Sequence, residues 1–97
     1  MSSFDFENEV IKSSFSQNVV VEFQADWCES CKEVESILID LSKHKSFKLV
    51  KIDVDKNELL SIEEGVDTIP YTFLYKDGVK QKEVRGKNLQ SIRQLLD

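Results

Sequence analysis

The chain contains two cysteines, Cys28 and Cys31, which lie three residues apart in the segment WCESC. Two thiols at this spacing can exchange electrons with a disulfide. One thiolate attacks a substrate sulfur to form a mixed disulfide, and the second thiol then releases the substrate. Two alternatives stay open, an ordinary buried pair and half of a zinc site. Zinc takes four ligands, and only His44 could join these thiols without carboxylates or a second subunit, so we expect no metal.

The segments around the cysteines favour the redox interpretation. Residues 19–25 form a nearly continuous apolar run rich in valine, which is typical of a strand buried on both faces of a sheet. From residue 29 to about residue 43, apolar residues recur at helical spacing and predict a helix with one buried stripe. A C-x-x-C pair between such a strand and helix is typical of a redox motif.

The phase of the predicted helix separates the two sulfurs. Cys31 lies at the edge of the apolar stripe, whereas Cys28 lies about 60° further out, at the first turn. We therefore expect the Cys31 sulfur to face the interior and the Cys28 sulfur to face solvent. The free N–H groups and the dipole of a helix N-terminus favour a thiolate at Cys28.

The whole chain predicts the order α, β, α, β, α, β, β, α. A helix between the first two strands implies a parallel pair with a right-handed crossover, and the last two strands form an antiparallel hairpin. Three further helices are predicted: one capped by Asp5 or Ser3 that ends near Ser13 and Ser14, a short one from Asp55 or Asn57 to a cap at Gly65, and one capped by Asn88. The remaining strands are predicted over residues 47–54, 71–75 and 79–85, and the last two flank Asp77-Gly78.

Glu22 is a carboxylate in the middle of the valine-rich strand. The plain alternative for such a residue is a surface ion pair on an edge strand. Because this strand is predicted to be central, we expect Glu22 to be partly buried and desolvation to raise its pKa. A carboxylate beneath Cys31 could accept the proton of the resolving thiol. Lys51, on the neighbouring strand, is the expected charge partner of Glu22.

Pro70 is the only proline of the chain and lies in the segment TIPY. Proline has no N–H to donate to a sheet, so it belongs at the start of a strand. The preceding peptide bond can be trans, in an ordinary loop-to-strand junction. It can instead be cis and place backbone groups beside the thiols.

Length and charge narrow the class of protein. The 97 residues predict a single domain over residues 1–97. Thirteen basic and 18 acidic residues give a net charge of −5, which argues against nucleic acid or an anionic membrane as the partner. The acidic, polar N-terminus does not have the pattern of an export signal, so we expect a cytoplasmic protein.

Four segments together closely resemble the thioredoxin family: VVVEFQADWCESCK, KLVKIDVD, TIPYTFLYKDG and VRG. The match runs from about Phe6 onward, in order and with similar spacing. The resemblance implies a thioredoxin-like α/β fold. Its central mixed sheet of about four strands would be flanked by four helices, with the family's first strand reduced or missing.

The resemblance also implies roles for individual residues. Cys28 would be the nucleophile and Cys31 the resolving thiol of a redox-active disulfide. Glu22 stands where the family has a buried acid, and Lys51 where it has the lysine partner of that acid. The implied substrate-binding residues are Trp27, Thr68, Ile69, Pro70 as the family's cis-proline, and Gly86.

The implied activity is reduction of protein disulfides by a monomer that needs no bound cofactor and is re-reduced by a thioredoxin reductase. Several residues depart from the family pattern. Glu29-Ser30 replaces the Gly-Pro that thioredoxins usually carry between the cysteines, Gln24 stands where the family usually has an aromatic residue, and Ser36 replaces a helix proline. An alternative function remains, a binding module of the same fold whose cysteines do not turn over and whose surface around Trp27 and Pro70 binds a partner.

Overall fold

The computed structural model describes residues 4–97, which form a four-stranded mixed sheet with helices on both faces. The strand order is β2-β1-β3-β4, with β1 and β2 parallel and the other two pairs antiparallel. β1 is therefore central, as predicted, and its first five residues have no exposed surface. The strands are β1 (Val19–Gln24), β2 (Lys48–Asp53), β3 (Tyr71–Lys76) and β4 (Val79–Arg85).

The described helices also follow the predicted order. A π-helix over Glu7–Lys12 and a 3₁₀ turn over Ser13–Phe15 come first, followed by α1 (Glu29–Leu41), α2 (Glu58–Glu63) and α3 (Leu89–Arg93). α1 ends two residues earlier than the pattern predicted. Of the two cap residues predicted for the first helix, Asp5 accepts the backbone N–H of Asn8 at 3.1 Å, and Ser3 lies outside the described residues. Asn88 caps α3 by accepting the N–H of Ser91 at 3.1 Å.

Alternate residues of β1 face two different apolar clusters. Val19, Val21 and Phe23 pack with residues of β2, β3 and the N-terminal helix. Val20 packs on the opposite face with apolar side chains of α1 and α3. Because side chains alternate along a strand, Glu22 points to the same face as Val20, beneath α1 and α3.

The hairpin between β3 and β4 turns at Asp77 and Gly78, which have φ angles of 54° and 84°. Two successive positive φ values are typical of the tight turn that Asp-Gly favours, so this prediction is confirmed. Residues 4–97 contain no helix with both the length and the apolar character needed to cross a membrane.

Candidate active site

Cys28 and Cys31 form a disulfide at the N-terminus of α1, with their Cα atoms 5.3 Å apart. Cys28 is the N-cap residue of the helix, and its Sγ accepts the backbone N–H of Cys31 at 3.1 Å. A turn in which the N–H of Cys28 donates to the carbonyl of Ala25 connects the helix to the end of β1. The buried strand and the helix together fix the position of both sulfur atoms.

Burial of the two cysteines differs from the prediction. Cys28 is more exposed than Cys31, as expected, but the exposed fractions are only 7% and 2%. The expectation that Cys28 faces solvent is therefore wrong for the disulfide form. Its side chain packs in a small apolar cluster with Ala25, and Val54 and Ile69 cover that cluster.

The loop before β3 lies against this disulfide. The peptide bond between Ile69 and Pro70 is cis, and Ile69 packs against the cluster that contains both cysteines. The carbonyl of Pro70 accepts the N–H of Gly86 at 2.8 Å. Ile69, which is far from the cysteines in sequence, thus lies beside the disulfide, and Gly86 is hydrogen-bonded to the adjoining Pro70.

Beside the disulfide lies an open groove of about 440 Å³. Trp27, Thr68 and Ile69 were predicted from the sequence and line it. The Trp27 ring is 68% exposed, and its Nε1–H donates to Asp55 at 2.9 Å. Sequence reasoning missed four residues that complete the lining, because they come from the end of β2, from α2 and from the following loop: Val54, Ser61, Val66 and Asp67.

Glu22 is fully buried, and neither of its carboxylate oxygens has a hydrogen-bond partner. Burial, with a further contribution from the negative charge of Glu35, raises the pKa of Glu22 to about 8, and the charge of Lys51 opposes this rise. A carboxyl group with this pKa is mostly protonated at neutral pH. The expected burial of Glu22 and the direction of its pKa shift are confirmed.

The charge of Lys51 acts on Glu22, as expected, but the two side chains form no direct ion pair. Lys51 lies beside Glu22 in the β1–β2 register, but its Nζ donates to Glu35 of α1 at 2.7 Å. The side chain of Lys51 is 47% exposed in this arrangement. Pairing with Glu22 instead would require removing the ammonium group from water, which is unfavourable.

Two polar neighbours of Glu22 were not singled out from the sequence. Glu35 stands four residues after Cys31, so both lie on the same face of α1, and this spacing was the available signal. Thr72 lies opposite Glu22 in the β1–β3 register and is fully buried. A lone threonine in a strand gives no such signal.

Residues 4–97 contain no cluster of three or more His, Cys, Asp or Glu side chains arranged to hold a metal ion.

Comparison with known proteins agrees with this arrangement. A family model described as Thioredoxin matches residues 1–97. A thioredoxin of Rickettsia typhi is 35% identical over 99 aligned residues, which cover 100% of this chain and 90% of that protein. The structure of the reduced thioredoxin pre-protein of Schistosoma mansoni has a TM-score of 0.84 at 27% identity and covers 94% of this chain and 86% of that one. The structure of a mutant thioredoxin from Halobacterium salinarum has a TM-score of 0.82 at 29% identity, with coverages of 97% and 83%.

Proposed function

This chain belongs to the thioredoxin family and is a dithiol–disulfide oxidoreductase, and we propose that it reduces disulfide bonds of other proteins, with Cys28 as nucleophile and Cys31 as resolving thiol. The observation that carries the proposal is the Cys28–Cys31 disulfide at the N-terminus of α1, beside an open groove. Cys28 caps the helix, where backbone N–H groups and the helix dipole favour a thiolate. Cys31 is the more buried of the two and is held within reach.

The proposed reaction transfers two electrons from the dithiol to the substrate. The Cys28 thiolate attacks one sulfur of the substrate disulfide, whose S–S bond breaks and whose other sulfur leaves as a thiolate that takes up a proton. The Cys31 thiolate then attacks the Cys28 sulfur of the mixed disulfide. The second substrate sulfur leaves, and the Cys28–Cys31 disulfide is formed.

Glu22 is the proposed acceptor of the Cys31 proton. It lies on the α1-facing side of β1, and the charge of Glu35, one helical turn after Cys31, acts on it. With a pKa of about 8, its carboxyl group can release and take up a proton near neutral pH. Lys51 has an indirect role in this scheme, because its charge favours the ionised form of Glu22.

The proposed partners are proteins that contain a disulfide and a thioredoxin reductase that restores the dithiol. The substrate segment would lie along Trp27, Thr68 and Ile69, which line the groove, and along Pro70 and Gly86, which are hydrogen-bonded to each other. The cycle consumes electrons, so it suits a reducing compartment, and we place it in the cytoplasm. The protein would act there as a monomer.

Reduction of insulin by dithiothreitol, followed as turbidity, tests the proposed activity. Catalytic amounts of the protein should shorten the time to precipitation relative to dithiothreitol alone. The Cys28→Ser variant is the matched control, because it differs by one atom and lacks the nucleophile. A wild-type protein that is no faster than this variant would contradict the proposed activity.

A further inference from the structure

A row of polar side chains crosses the sheet beneath α1. Lys51 of β2, Glu22 of β1 and Thr72 of β3 are partners in the strand register, and side chains of partner residues point to the same face. Both Glu22 carboxylate oxygens and the Thr72 hydroxyl oxygen are buried without a hydrogen-bond partner. Buried polar atoms are rarely left unpaired, so three of them in one row require an explanation.

The strand register places the Thr72 side chain beside that of Glu22, without a direct hydrogen bond between them. Facing residues of antiparallel strands have Cβ atoms about 4.5–5.5 Å apart. A glutamate and a threonine at that separation can join through a direct hydrogen bond or through one internal water. The hydroxyl can donate to the ionised carboxylate and can also accept from the protonated carboxyl. The bond to the ionised form is the stronger of the two, because it is charge-assisted.

On the other side of Glu22, the cation Lys51 is held in a surface ion pair with Glu35. Glu35 binds the Lys51 ammonium at 2.7 Å, and both side chains are partly exposed. Without Glu35, the ammonium group would lose this partner, and Glu22 would be the neighbouring carboxylate in the strand register. The polar and charged groups around Glu22 are its register partners Lys51 of β2 and Thr72 of β3, and Glu35 of α1, whose charge acts on it. Cys31 lies one turn before Glu35 on α1. From β4 and α3, the apolar Val84 and Ile92 belong to the cluster on the same face of the sheet.

We propose that the Thr72 hydroxyl and the Glu35–Lys51 ion pair are positioning groups that set the protonation state of the buried Glu22 carboxyl. The Thr72 hydroxyl favours the ionised form by donating to it. The ion pair favours the protonated form, because Glu35 adds a negative charge and holds the ammonium at the surface. The consequence for catalysis rests on the proposed role of Glu22 as the acceptor of the Cys31 proton.

The first test is the titration of Glu22 in the oxidised protein, followed by the carbon-13 shift of its carboxyl group. The disulfide removes both thiols from the titration. Glu35→Gln should lower the midpoint by about one pH unit, because the negative charge of Glu35 is lost and the positive charge of Lys51 is no longer neutralised by it. Glu33→Gln is the matched control. This substitution makes the same change of net charge on α1 and removes the salt bridge in which the Lys87 Nζ lies 3.1 Å from a Glu33 carboxylate oxygen. It should leave the titration midpoint of Glu22 unchanged. A Glu35→Gln curve that superimposes on that of the wild type would overturn the role of the ion pair.

The second test removes the hydroxyl from β3. Thr72→Val keeps the shape of the side chain and should raise the midpoint of Glu22, because the neighbouring hydroxyl is no longer there to donate to the ionised carboxylate. Thr72→Ser keeps a hydroxyl and should return the midpoint towards the wild-type value. An unchanged midpoint in Thr72→Val would show that the hydroxyl does not serve Glu22.

A kinetic measurement separates this inference from the proposed function. The rate of release of a preformed mixed disulfide is measured against pH for the wild type, Glu35→Gln and Thr72→Val. If the rate profiles move with the Glu22 midpoints, the positioning groups act on the resolving step. If the midpoints move but the profiles do not, the positioning role stands and the proposed proton transfer to Glu22 fails.

Discussion

Replacing Glu22 with glutamine should remove a pH-dependent loss of stability. Burial raises the pKa of the Glu22 carboxyl from 4.5 to about 8 in the folded protein. Below pH 4.5 the carboxyl is protonated in both states and has no effect on the pH dependence. As the pH rises above 4.5, the unfolded chain ionises while the folded protein keeps its proton, so the free energy of unfolding falls. Above about pH 8 the folded protein ionises too, and no further loss occurs.

The size of this loss follows from the shift in pKa. Each pH unit between the two pKa values is equivalent to about 1.36 kcal/mol. At pH 7 the wild type has therefore lost about 3 kcal/mol relative to pH 4.5, a substantial fraction of the roughly 5–15 kcal/mol that stabilises a typical domain. Glutamine does not titrate, so the stability advantage of Glu22→Gln should grow by about this amount over the same range. The Lys51–Glu35 pair remains intact, so the substitution leaves no buried cation unpaired.

Urea unfolding of the oxidised proteins, followed by circular dichroism at several pH values from 4.5 to 8, measures this difference. The disulfide excludes titration of the thiols. Glu63→Gln is the control, because Glu63 lies on α2 with an exposed side chain. The free energy of unfolding of this variant should change with pH in the same way as that of the wild type. Parallel curves for Glu22→Gln and the wild type would refute the argument that Glu22 is held protonated.

Three further outcomes are expected. Cys31→Ser should accumulate a mixed disulfide with substrate proteins on a non-reducing gel and Cys28→Ser should not; equal trapping by both variants would exclude the assigned roles. Brief treatment of the reduced protein with iodoacetamide at pH 7 should label Cys28 first, because it caps α1 and is the more exposed thiol; peptide mapping that finds Cys31 labelled first would reverse the assignment. Asn88→Ala should lower the free energy of unfolding by about 1 kcal/mol, because the Ser91 N–H loses its acceptor; an unchanged urea midpoint would count against the cap.

The order of the elements could be predicted from local patterns in the sequence. The valine-rich run predicts a buried strand, the spacing of apolar residues in the next segment predicts a helix, and Asp77-Gly78 predicts the turn. Each of these features depends mainly on residues that are close together along the chain, so the sequence of a short segment is enough to predict it. The position of the two cysteines at the start of α1 follows from the same patterns.

The partners of the buried acid were decided by the tertiary structure. Sequence alone paired Glu22 with Lys51, whereas packing of α1 on the sheet offers Lys51 the carboxylate of Glu35, in a place where the ammonium stays hydrated. The position of Thr72 beside Glu22 depends on the β1–β3 register, which no single segment specifies. The burial of Cys28 likewise depends on Ile69, which a loop far along the chain brings to the disulfide. Local periodicity determines which face of an element is apolar, but contacts between elements depend on register and packing, which are settled when the whole domain folds.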